Sequence, residues 1–172
     1  MIKKSFLALL IIGMLMGCGK KEKQKTDFKV SLPSQSDRQP NGGMLRFTID
    51  DKSMHDKYFV AQFTPRGDVF EYDNLQLYNY NIGSDKYPQF IINLNFKESD
   101  LKKWQGKTFP LDFLAFTPSP RAIPLNSRGE ITITKVTESF VEGKFSGELI
   151  HPKTGEPHPI KGEFRAVLKV NV

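Results

Sequence analysis

One cysteine, one tryptophan and three histidines are all that the 172 residues contain of those types. A lone Cys18 excludes an intrachain disulfide and any zinc site built on several thiolates. His151 and His158 flank the loop Pro152–Pro157, where Glu156 could join them, but neither they nor His55 fall at the usual ligand spacings. Asp68, Glu71, Asp73 and Asn74 crowd together without the glycine-centred loop of an EF-hand. No metal and no cofactor is therefore expected. Gly143-Lys144-Phe145-Ser146-Gly147 is not a nucleophile elbow, because its serine is misplaced and its context is a strand. With no catalytic constellation, the expectation is a non-enzymatic protein.

Long apolar runs are missing too. The longest near the N-terminus, Phe6 to Met16, is interrupted by Gly13. As a helix it would rise about 17 Å, against a hydrocarbon core of roughly 30 Å. It follows Lys3 and Lys4, so it reads as the basic start and short apolar core of a signal peptide over residues 1–17. Leu15, Met16 and Gly17 then lead directly into the sole cysteine. That arrangement resembles the lipobox of bacterial lipoproteins. The resemblance implies cleavage before Cys18 and acylation of its thiol by palmitate-type chains. Each buried methylene adds about 0.8 kcal/mol of membrane affinity, and several chains make a lasting anchor. Gly19 in place of an aspartate after the cysteine points to the outer membrane rather than the inner one.

The formal charge of +6 is mostly not a property of the folded body. Two units leave with Lys3 and Lys4. Lys20, Lys21, Lys23 and Lys25 against Glu22 account for three more beside the anchor, where they would meet lipid headgroups. The remainder is close to neutral and gives no reason to expect nucleic acid as a partner. Residues 18–43 are poor in apolar side chains and read as a flexible tether, with Phe28, Val30 and Leu32 offering a short strand within it. Residues 44–172 are then one domain, large enough for a core and rich in phenylalanine.

Alternation with a period of two runs through that domain. Leu45, Phe47 and Ile49 share a face, and Asp50 to Ser53 break the pattern. Lys57–Phe63, Val69–Tyr72 and Leu75–Ile82 follow as strands, the first two joined by a turn at Pro65–Asp68. Phe90, Ile92, Leu94 and Phe96 define the next. One short helix is expected over 99–105, capped by Ser99 and plugging the core with Trp104. Phe109–Phe116 reads as a single strand, and the three prolines of Thr117–Asn126 mark an edge-covering loop. After Ile131 and Ile133, the strands around Val141–Leu149 and Ile160–Val170 form a long hairpin. One face is apolar and carries glycines; the other alternates Glu with Lys and Arg.

Those last strands carry a second resemblance. Gly106-Lys107-Thr108, Gly129-Glu130-Ile131-Thr132-Ile133-Thr134, Val141-Glu142-Gly143-Lys144-Phe145-Ser146 and Gly162-Glu163-Phe164 are similar to a pattern in small β-sandwich or calycin-like bacterial lipoproteins. The fold expected is all-β: a single antiparallel β-sandwich, or alternatively a calycin-like barrel. The function expected is a binding or structural module of the cell envelope, held to the lipid bilayer through Cys18, with an envelope protein or glycan as partner. The alternative is a carrier of a small hydrophobic ligand in a barrel cavity. Tyr72, Tyr78 and Tyr80 with Asn79 and Asn81 combine flat rings with amides and are the candidate binding surface.

Overall fold

The hairpin near the C-terminus sets the frame. In the computed structural model, which describes residues 41–67, 71–81, 83–97, 100–111, 113–120 and 126–170, it is the longest pairing present. Ten strands form in chain order: β1 (Met44–Ile49), β2 (Lys52–Asp56), β3 (Val60–Thr64), β4 (Asp73–Tyr78), β5 (Gln89–Phe96), β6 (Thr108–Pro110), β7 (Phe113–Thr117), β8 (Asn126–Val136), β9 (Phe140–Ile150) and β10 (Pro157–Val170). The chain is all-β, as expected. All ten strands belong to one hydrogen-bonded sheet, ordered β6-β8-β9-β10-β3-β4-β5-β7, with β1 beside β10 and β2 beside β1.

β10 is long enough to join two walls. Its first half pairs with β1 from Ile160 to Arg165, and its end pairs in parallel with β3 from Val167 to Val170. Its other edge pairs with β9 over eleven positions. One wall is therefore β2-β1-β10-β9-β8-β6 and the other β3-β4-β5-β7. The sheet curls so that the walls face each other, as in a sandwich, while remaining one half-barrel.

The curl depends on glycine opposite phenylalanine. Gly162 pairs with Phe145, and Gly143 with Phe164. A Cβ on Gly162 would lie 2.6 Å from the Phe145 ring, and one on Gly143 2.6 Å from the Phe164 ring. The missing side chains let the rings lie across the backbone and reach the opposite wall. There Phe145 meets Phe90 at 5.4 Å between centroids, and Phe47 meets Phe90 and Phe116 at 5.1 and 5.6 Å. Trp104, only 1% exposed, closes one end of the core against Phe63, Phe96 and Phe109.

Several local expectations differ from what forms. Asp50 to Ser53 is not merely a break: Asp50 and Asp51 take positive φ (48° and 63°) as the tight turn of a β1–β2 hairpin. Of β2, only Met54 is buried, so its sequence lacks an alternating apolar face. The expected strand at Lys57–Phe63 begins only at Val60, and Glu71–Tyr72 is a bend, with 68–70 outside the described residues. The expected strand at Leu75–Ile82 runs from Asp73 and stops at Tyr78.

Phe109–Phe116 is split. β6 pairs with β8 and β7 with β5, so the chain changes walls at Leu111, whose N–H donates to Gly129 O. Leu114 N–H then donates to Ser127 Oγ, linking the two ends of the sheet. The helix is a single 3-10 turn, Leu101–Trp104. Its cap is Asp100, whose carboxylate accepts from Lys102 N at 3.0 Å. Ser99 lies outside the described residues.

Candidate functional site

The expected tyrosine–asparagine surface is divided by β4. Tyr78, Asn79, Tyr80 and Asn81 follow one another at one end of the strand, and Tyr72 precedes the other end. Tyr78 is buried, and its hydroxyl donates to Gln62 Oε1 at 2.9 Å. Burial, then the neighbouring Tyr58 and Tyr80 phenols, raise its pKa above 10.0; burial does the same for Tyr80, whose ring lies 6.0 Å from that of Tyr78.

Asn79 is 2% exposed and holds the backbone together. Its Oδ1 accepts from Phe90 N at 2.7 Å, and its Nδ2 donates to Asp56 Oδ2 and Pro88 O, each at 3.1 Å. Asn81 is exposed and accepts from the Tyr58 hydroxyl at 2.7 Å. Of the five candidates, only Tyr72 is a large exposed apolar side chain, at 40%.

Tyr72 stands beside a small bowl of about 390 Å³ on the outer face of the β3-β4-β5-β7 wall. Asn74 and Gln76 of β4, Asn95 of β5 and Thr64 of β3 form its floor, with Glu71 at its rim. Asn74 Nδ2 donates to Asn95 Oδ1 at 2.9 Å. Lys97 pairs with Glu71 at 3.4 Å, and its ammonium lies 5.4 Å from the Tyr72 ring centre.

A larger open groove, about 930 Å³, crosses the outer face of the opposite wall. Strand register aligns two rows there. One runs His55, Arg46, Glu163, Lys144, Thr132; the other runs Ser53, Thr48, Lys161, Ser146, Glu130. Five strands at about 4.8 Å make this a track of roughly 20 Å. Arg46 and Glu163 approach to 3.6 Å, and both are exposed. Charge-bearing residues of both signs and hydroxyls therefore lie along one depression. Elsewhere on this wall Arg165 meets Glu142 at 3.6 Å, a cross-strand pair of the kind expected of the hairpin, and Arg128 of β8 meets Glu148 of β9 at 2.7 Å.

Sequence reasoning took the groove residues for an ordinary solvent face. Each strand displays only its own alternation, and the depression exists only where five strands from three parts of the chain meet. The signal present in the sequence was glycine on the inner face of β9 and β10.

The remaining candidates serve the fold. His151 Nδ1 accepts from Lys153 N and Thr154 N within its own loop, while His158 is buried and lies 2.7 Å from Asp50 Oδ2 in the β1–β2 turn. The two histidines thus face different partners. Asp73 is fully buried, and its Oδ1 accepts from Arg66 N. Among the described residues no group of three or more His, Cys, Asp or Glu is placed to hold a metal ion. No helix there is long and apolar enough to cross a membrane. Cys18 and the lysines after it lie outside the described residues. Comparison with family models, characterised proteins and solved structures finds no match to this chain.

Proposed function

We propose that this chain is a membrane-anchored lipoprotein whose folded body is a non-enzymatic binding module of the bacterial cell envelope. Cys18 carries the acyl anchor, the segment before Asn41 is the tether, and the outer membrane is its site. The partner is an envelope protein that lays an extended segment of mixed charge along the outer groove. The observation that carries this reading is the groove itself: about 930 Å³, open, and bordered by Arg46, Lys144 and Lys161 as well as Glu130 and Glu163. A carrier of a hydrophobic ligand would need space between the walls, where the facing phenylalanines already meet at 5.1–5.6 Å.

The test is crosslinking in cells followed by recovery of the full-length protein. The double variant Lys144→Glu, Lys161→Glu reverses the basic side of the groove without touching the core. One envelope protein crosslinked to wild type, and lost with the double variant or with release by Cys18→Ala, is the expected result. Recovery of the same protein by all three forms would overturn the groove as the contact.

A further inference from the structure

We propose that the bowl between Tyr72 and the outer face of β4 and β5 binds a neutral pyranose glycan. This site is on the wall opposite the groove and does not depend on the tether or on a protein partner. Its volume, about 390 Å³, is at the lower end of ligand pockets, which run from about 300 to 1,000 Å³.

Its polar groups are nearly all amide and hydroxyl, set beside the apolar surface of Pro65 and the Tyr72 ring. Thr64, Asn74 and Asn95 form one row across three strands, and Gln76 stands in the next row on β4. Side-chain amides and hydroxyls both donate and accept, as sugar hydroxyls do, so an array of such groups complements a polyol without requiring charge. Glu71 is the one charged group at the bowl, and Lys97 offsets it at 3.4 Å. A strongly charged ligand therefore finds no counterpart.

An exposed aromatic ring, Tyr72, stands beside these amides. A pyranose ring presents an apolar C–H face that packs on such a ring while its edge hydroxyls meet the amides. A peptide cannot add as a strand at the bowl itself, because β4 is already paired with β3 and β5, and β5 with β4 and β7.

The experiment uses the full-length acylated protein in detergent micelles. Neutral hexasaccharides of glucose and of N-acetylglucosamine are titrated while the side-chain amide NMR signals of Asn74, Gln76 and Asn95 are followed. Insoluble cell-wall glycan is offered in parallel in a pelleting assay. The expected result is saturable shifts or pelleting that Tyr72→Ala weakens roughly tenfold and Tyr72→Phe preserves, since ring contact is the main loss.

Binding only to the insoluble polymer assigns the envelope glycan as the source. Equal binding of soluble chains assigns free oligosaccharide. Absence of saturable binding, or binding indifferent to Tyr72→Ala with the variant folded by thermal unfolding, overturns the proposal.

Discussion

A hydrogen atom in place of a side chain does as much here as any phenylalanine. Gly162 has Arg46 O 2.5 Å and the Phe145 ring 2.6 Å from where a Cβ would stand. The carbonyl belongs to the paired strand β1 and cannot turn aside as a flexible side chain would. Gly162→Ala should therefore destabilise the protein by about 1–3 kcal/mol, the usual cost of overpacking, read as a lower urea midpoint at unchanged slope. Tyr78 and Tyr80 make a second residue-level prediction. Their folded pKa values lie above 10.0, so the unfolded chain ionises first as pH rises past that value. Stability from this source is complete below about pH 10 and declines above it. Tyr78→Phe should make the decline shallower, while removal of the bond to Gln62 costs about 1 kcal/mol at neutral pH. Urea titrations at pH 7 and pH 10.5 read both effects.

Single elements were legible where one face was apolar and the other polar. β1, β5, β9 and β10 announce themselves by alternation, and Trp104 was identifiable as a plug. β2 was not, because an edge strand with one inward residue has no period to detect. Its turn was equally hidden: Asp-Asp is an unusual pair for two positive φ values, whereas Asp-Gly is a preferred one. Asp51→Gly should accordingly stabilise the hairpin by up to about 1 kcal/mol, the strain relief exceeding the entropy lost, as measured by thermal unfolding. Asp50 should stay, since it meets His158. The break at Leu111 was also invisible, for Thr108–Pro110 and Phe113–Thr117 both read as strand and only their partners differ. The candidate surface failed in part for a related reason. The residue types named Tyr78 as a candidate, but they did not show that it would be buried with its hydroxyl bonded to Gln62.

At the scale of the molecule, β10 holds the two walls together and aromatic side chains fill the space between them. Trp104→Ala would open one end, where Phe96 lies 3.7 Å away between ring centres, and should cost about 3–5 kcal/mol, read by chemical denaturation. A body so filled leaves its outer faces for the proposed recognition, and the proposed attachment rests on Cys18. Both parts of this account are read by one measurement, the native mass spectrum of the full-length protein extracted from membranes. The predicted species begins at Cys18, carries covalent acyl chains and holds no further lipid. A chain without acylation would contradict the anchor, and one retaining a stoichiometric non-covalent lipid would contradict the filled core and favour a carrier.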